Sequence, residues 1–491
     1  MSPMSFFKST FYASILHHAR STPHDIAVAF GAQEVSYGEF ARDIERATRQ
    51  LAARLPGSTG VAMVTLSHPY LHWVMTIALG RAGLCTVSAF DAAAVALVKP
   101  ALVLVDPQAP QPDSRFVVVD QEWIGLGGDA LPPFADPEHG ADVPARLVLS
   151  SGTTGTPKKV LLTHAHVQAR LQSIAVGSGL PGKGTRTLAL VGIDTVGGHH
   201  FPLATWFLGG RTVLRMQGED PYQTIARKGV NYAFMAPVQL EQLVQSMPAT
   251  AWPIRELTVS IAGSSLPRLV SQKARARLCP SLLIIYGSTE GGLLSICHAG
   301  LADTLPGATG IVRPDVEIQV VDAAGQPLPH GETGEVRCRS LGCVTEYVDA
   351  GASGADNGET FRGGWFYPGD AGTLSRDGLL SIVGRTQDLI NLGGVKIAPG
   401  AIEEVLAACP GVADLAAFSL ERDGAVATPW VAVVPGAGYD QAVLAAAFAQ
   451  AFPRLPALGF VTADLIPRNQ MGKVQRNLIR EHVQQTFAKG G

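Results

Sequence analysis

Apolar residues recur at helical spacing between residues 40 and 55, where Ile44, Ala47, Leu51 and Leu55 share one face. Steps of three and four stack side chains along a helix, so this segment predicts an amphipathic helix. Short apolar runs at 61–66, 101–106 and 116–120 have the length of buried strands. Strands alternating with helices predict α/β layering around a largely parallel sheet. Residues 126–142, rich in Gly, Pro and Asp, predict a loop, and 146–151 a strand entering a glycine-rich turn. Residues 213–240 repeat the strand-then-helix theme, and 282–286 predict another strand ending at a glycine turn. From about Ile318 the texture changes. Apolar and polar positions alternate through 317–340 between Gly/Pro turns, an antiparallel pattern, and a hairpin centres on Asp377-Gly378. Beyond Gln387 the pattern is mixed α+β. A boundary near 385–388 divides the chain into a large unit, 1–386, and a small one, 387–491. No repeat is evident.

Composition narrows the function classes. Of 491 residues, 46% are hydrophobic and 16% charged, the reverse of a disordered chain. Thirty-eight Lys and Arg against 41 Asp and Glu leave a net charge of −3, so no bulk field favours nucleic acid. The most apolar stretch, 70–90, carries Arg81 near its middle. A charge there is costly in lipid, so the stretch predicts a buried helix followed by a strand and no membrane span. The first 20 residues hold no uninterrupted apolar run, which argues against a signal peptide. Cys85, Cys279, Cys297, Cys338, Cys343 and Cys409 include no CxxC pair. Reduced, mostly buried thiols are expected, as fits a cytoplasmic protein.

The strand at 146–149 runs into Ser150-Ser151-Gly152-Thr153-Thr154-Gly155-Thr156-Pro157-Lys158. Unhindered backbone N–H groups, hydroxyls and a cation together suit a polyphosphate. It is not a Walker A loop, because Pro157 stands where the second glycine would be. Further along come Tyr286-Gly287-Ser288-Thr289-Glu290, then Gly364 to Asp370 (GWFYPGD), then Gly384-Arg385 through Asp388 to Gly394, and Pro467 to Lys473 (PRNQMGK).

In this order the motifs resemble those of the adenylate-forming enzymes: acyl- and aryl-CoA synthetases, peptide-synthetase adenylation domains and luciferases. The resemblance runs from about Pro23 to Leu478. It implies an α/β fold with a large multi-layer N-terminal domain, two α/β sheets plus a β subdomain, and a small mobile α+β C-terminal domain. It implies an ATP-dependent ligase that converts a small carboxylic acid to an adenylate, releases pyrophosphate, and transfers the acyl group to a thiol of CoA or of a carrier protein's phosphopantetheine.

Residue roles carry over with the motifs. Ser151 to Thr156 and Lys158 would hold the ATP phosphates, with Thr289 at the α-phosphate. Glu290 is a hard oxygen ligand suited to Mg²⁺; its plain alternative is a helix-start carboxylate. Gly263, Ser264, Ser265 and Tyr286 would line the adenine side. Asp370, with Arg385, would take the ribose hydroxyls, or Asp370 is a turn cap. Lys473 would bridge the attacking carboxylate and the α-phosphate, or is a solvated surface charge. Gln387 occupies the hinge, and Gly394 and Lys396 the thiol side. Gly287, Asp194, Thr195 and His199 would line the acid pocket.

The sequence departs from the family pattern at Lys159, Pro368, Gln387 and the pair Asp194-Thr195, the last where acyl-CoA ligases commonly carry an aromatic-His pair. Asp194 has three readings: an anchor for an amino acid's ammonium, a contact to a polar group on another acid, or the N-cap of a helix beginning near Val196. Adjacent His199 and His200 do not face one metal on a helix. Two alternatives stay open: a stand-alone amino-acid adenylating enzyme that loads a carrier protein, and a catalytically silent nucleotide-binding scaffold.

Overall fold

The computed structural model describes residues 10–137, 140–150, 157–305, 307–348, 357–392, 395–420, 428–469 and 472–489. The first sheet has six strands in the order 116–118, 102–105, 61–64, 85–88, 144–150, 158–163, with all neighbours parallel except the last pair. The helix Tyr37–Arg54 packs on the helix Pro69–Arg81 and is started by a capping box between Ser36 and Glu39. Phe40, Ile44, Ala47 and Leu51 point into the core, as their spacing predicts. The helix Pro69–Arg81 begins with proline at its first turn and is buried from Tyr70 onward. Arg81, the charge in the apolar stretch, pairs there with Glu45 and Asp136.

The second sheet contains six parallel strands in the order 26–30, 211–214, 186–189, 232–235, 258–261, 281–288, with 33–36 antiparallel at the edge beside 26–30. Its parallel part does not end at a free edge. The strand Ser281–Ser288 pairs antiparallel with Gly292–His298, and the ladder continues through 308–312, 379–385, 370–374 and 334–340. The β subdomain expected from the texture change is thus hydrogen-bonded into the same 15-stranded sheet. Pairing there removes an unpaired edge. Helices His164–Gly177 and Val196–Phe207 pack between the two sheets around Phe201, Trp206 and Tyr232.

Residues 412–420, 428–435 and 459–462 form a third sheet. Leu415, Ala417, Val431 and Val433 meet Ile402, Leu406, Leu444 and Phe448 on one face. Ala416, Phe418 and Ala432 meet Ile466, Ile479 and Val483 on the other. Burial on both faces explains the nearly continuous apolar run of its first strand. All six cysteines are free, and five are buried. Among the described residues no helix is long and apolar enough to cross a membrane. Residues 126–130 form a short 3-10 turn within the expected loop, tied down by Arg46 and Asp129.

Candidate active site

Parallel strands 186–189, 232–235, 258–261 and 281–288 all finish at one edge of the second sheet. The loops that follow carry Asp194-Thr195, the start of the helix Pro237–Ser246, Gly263 to Ser265, and Tyr286 to Glu290. Carboxyl ends of parallel strands are where open α/β sheets place ligands, because loops and helix N-termini converge there. Residues as far apart in sequence as Asp194 and Glu290 reach this edge because the strands run parallel. Ser151, Gly152, Thr153, Thr154, Gly155 and Thr156 lie outside the described residues, as does Gly394. The strand Pro144–Ser150 that leads into the loop, and Lys158, which follows it, are described.

Glu290 sits in the turn between two antiparallel strands, so it does not begin a helix. A hairpin this tight needs Gly287 without a side chain: a Cβ there would come within 2.2 Å of the Gly292 carbonyl. The Glu290 carboxylate is buried and accepts a hydrogen bond from the Tyr347 hydroxyl at 2.8 Å. Lys158 Nζ lies 3.5 Å from that hydroxyl and 4.7 Å from the ring centroid. Tyr347 therefore connects the end of the phosphate-loop motif to Glu290. Burial, and then the Glu290 charge, push its phenol well above the ordinary range, so it stays a donor. Sequence reasoning missed Tyr347. It is 57 residues from Glu290 and 189 from Lys158, and no local pattern marks it.

Asp370 and Arg385 are cross-strand partners. Arg385 Nε is 3.2 Å from one Asp370 oxygen, and Tyr286 Oη donates to the other at 2.6 Å. Arg385 also donates to the carbonyl of Pro368, so the proline that replaces the family's threonine serves through its backbone. Asp370 is 8% exposed, and its two oxygens are held in a fixed direction. It opens a strand and does not cap a turn. Gly263 and Ser265 are exposed, in the loop after the strand Thr258–Ile261.

Lys473 stands in a compact turn. Its N–H donates to the Asn469 side chain at 2.9 Å, and Asn469 N–H donates to its carbonyl at 3.0 Å. Gly472 has φ +76°, and a Cβ there would lie 3.1 Å from that of Val238, on the helix beginning at the strand edge. The turn is thus packed onto the second sheet's ligand edge. Burial lowers the Lys473 ammonium to about 8, with Arg385 acting in the same direction and Asp370 and Asp388 opposing it. A solvated surface lysine shows no such shift.

Thr195, and not Asp194, caps the helix Val196–Phe207: its Oγ1 accepts from Gly198 N–H at 3.0 Å. Threonine wins because its position, one residue before the helix, lets a short hydroxyl reach back to the third N–H. Asp194 is half-buried, with the charge of Arg146 nearby. Arg146 is fully buried and donates to Ser88 Oγ and to the Ile193 carbonyl, both at 2.9 Å, joining the first sheet to the Asp194 loop. His199 stacks on Trp73, and His200 Nδ1 bonds the Val196 carbonyl. Among the described residues no three His, Cys, Asp or Glu side chains form a metal cage. Gln387 is exposed in the turn Thr386–Asp388, and Lys396 lies in a short hairpin strand, Val395–Ile397.

Conversion of Tyr347 to Phe removes one donor to a carboxylate. Hydrogen bonds to charged groups contribute about 1.5–3 kcal/mol. If Glu290 holds magnesium as the motifs imply, adenylation by Tyr347→Phe is expected to fall about tenfold at limiting magnesium and less at saturation. Equal loss at all magnesium concentrations would show that the hydroxyl does not act on Glu290.

An indoleacetate–CoA ligase from Aromatoleum aromaticum is 27% identical over 507 aligned positions, covering 95% of this chain and 96% of its own. The fatty acid–acyl-carrier-protein ligase ScoC from Streptomyces coeruleorubidus is 30% identical over 359 positions, 69% of this chain and 67% of its own. The crystal structure of ATP-bound MatB from Rhodopseudomonas palustris shares the fold, with a TM-score of 0.84 over 98% of this chain and 100% of its own at 22% identity. The AMP-binding enzyme family model matches residues 15–348, and the chain belongs to that family.

Proposed function

We propose that this ATP-dependent, AMP-forming acid–thiol ligase activates an arylalkanoic or related organic acid and passes it to CoA, using Lys473, Thr289, Glu290 and Asp370 at the strand edge. The observation that carries the reading is the placement of the Lys473 turn against Val238, with its ammonium in the field of Asp370 and Arg385. Asp370 takes the ribose hydroxyls, because a carboxylate offers two acceptors to two donors. Lys473 neutralises the substrate carboxylate and the α-phosphate as they approach, and Thr289 donates to the same phosphate. These groups act on charge that develops in the transition state. In this reading Ser151 to Thr156 and Lys158 hold the departing pyrophosphate.

Glu290 fits a divalent cation. It is a buried carboxylate whose side-chain contact among the described residues is a neutral hydroxyl, and a hard cation with few protein ligands suits nucleotide sites. Bound there, Mg²⁺ would neutralise phosphate charge.

The second half-reaction requires the lysine to leave. In this reading residues 387–491 turn as a unit about Gln387 and present the segment with Gly394 and Lys396 to the thiol. Arg385 is held by Asp370 on the large side. Asp388 is held by Arg480 at 3.3 Å on the small side, so the exposed Thr386-Gln387 link between them is the natural pivot. Free, mostly buried thiols support a reducing, cytoplasmic location.

CoA is favoured because the indoleacetate–CoA ligase matches nearly the whole chain, including the C-terminal unit, whereas the carrier-protein ligase aligns over less of it. Asp194 contacts a polar group of the acid, since the nearby Arg146 cation already offsets the charge an ammonium would need. Pyrophosphate exchange with a panel of arylalkanoic, fatty and amino acids, followed by CoA and carrier-protein trials, tests this. Exchange and CoA-thioester formation with arylalkanoic acids are expected. Exchange confined to amino acids, or acyl transfer confined to carrier protein, overturns the reading.

A further inference from the structure

Arg170 belongs to none of the sequence motifs, and no carboxylate pairs with it among the described residues. It is 3% exposed, in the middle of the helix His164–Gly177 that follows the strand carrying Lys158. Burying a guanidinium is costly unless its N–H groups are satisfied. Here Nη2 donates to the main-chain carbonyl of Glu290 and Nε to that of Gly342, both at 2.8 Å. Nη1 is buried and makes no hydrogen bond. Two glycines leave room for this side chain: a Cβ at Gly342 would lie 3.1 Å from Arg170 Cγ, and one at Gly292 3.4 Å from Nε. The Glu290 carbonyl also accepts Val344 N–H at 3.0 Å, which ties the turn to the segment leading to Tyr347.

We propose that Arg170 is a positioning residue for the divalent cation: it locks the Glu290 turn to the helix that follows the strand carrying Lys158, so that the Glu290 carboxylate and Lys158 are held in one register. The physical demand is specific. A cation held by Glu290 would need that carboxylate, on the second sheet, at a fixed separation from Lys158 on the first. Their direct link, Tyr347, is a single hydroxyl. Arg170 supplies a rigid fork whose two bonds reach two separate carbonyls, of Glu290 and Gly342, which a lysine cannot reproduce. The inference rests on Glu290 being the cation ligand.

The test is pyrophosphate exchange against free Mg²⁺ at saturating ATP for the wild type, Arg170→Met, Arg170→Lys and Glu290→Gln, with thermal unfolding of each. Loss of an outer-shell partner weakens metal binding by about 10–100-fold. Arg170→Met is therefore expected to raise the half-saturating magnesium at least about tenfold, with the acid's KM unchanged and Arg170→Lys recovering part of the shift. A folded Arg170→Met variant that loses thermal stability but keeps the wild-type magnesium curve, while Glu290→Gln shifts it, overturns the role of Arg170. A wild-type curve in Glu290→Gln instead removes the cation reading, and this inference with it. If the methionine variant does not fold, the lysine variant decides: an unshifted curve overturns the proposal.

Discussion

Lys473→Ala is expected to lower adenylate formation by about 10²–10³-fold, the usual consequence of removing one preorganised group that stabilises developing charge. ATP binding should persist, because the phosphate loop, Glu290 and Asp370 lie on other segments. Pyrophosphate exchange and an ATP isotherm on the same preparation separate the two, and exchange within a few-fold of wild type would sink the assignment. The pH profile adds an independent check. The ammonium is the competent form, and burial and Arg385 hold it at about 8. The lysine is charged at neutral pH, so the rate should fall as pH rises through about 8. Arg385→Gln removes a repelling charge and frees Asp370 to act on the ammonium, so the limb should move to higher pH. A limb that stays in place would mean that another group titrates.

Asp370→Asn is expected to raise the KM for ATP about tenfold to hundredfold, from loss of charge-assisted bonds of about 1.5–3 kcal/mol. The amide also disrupts the present arrangement, in which one oxygen faces Arg385 and the other accepts from Tyr286. Some fall in unfolding temperature is therefore expected, and thermal melts should accompany the kinetics. The discriminating measurement is ATP against 2′-deoxy-ATP. Wild type should prefer the ribonucleotide, and the variant should lose most of that preference. A variant with weakened ATP binding but intact discrimination would place Asp370 away from the sugar.

The helices and strands were legible where periodicity is local. Ile44, Ala47 and Leu51 face the core at the spacing seen in the chain, and Arg81 interrupts an apolar run that is a buried helix. The hairpin at Asp377-Gly378 follows from a glycine with φ +76° at the turn. Other features depended on atoms far apart in sequence. Asp194 and Thr195 are both good cap residues by type. Their difference is one position of register, which the backbone decides through the Thr195–Gly198 hydrogen bond. The antiparallel strands looked like a separate layer because texture reports local pairing, whereas continuity with the second sheet is set by the pairing of 281–288 with 292–298.

The chemistry was present in the sequence as ordered motifs, because residues that bind phosphate, ribose and a cation must be of particular types. The sequence by itself therefore determined the family and the α/β class, and it proposed Glu290, Asp370, Arg385 and Lys473 as the residues of the site. Only the tertiary structure decided how they are held. Tyr347 on Glu290, Arg146 on the Asp194 loop, Arg170 on the Glu290 turn and Val238 beneath Gly472 are all contacts between distant segments. None has a local signature. A buried donor takes whichever acceptor the packed chain brings within reach, and that proximity exists only once the sheets have formed.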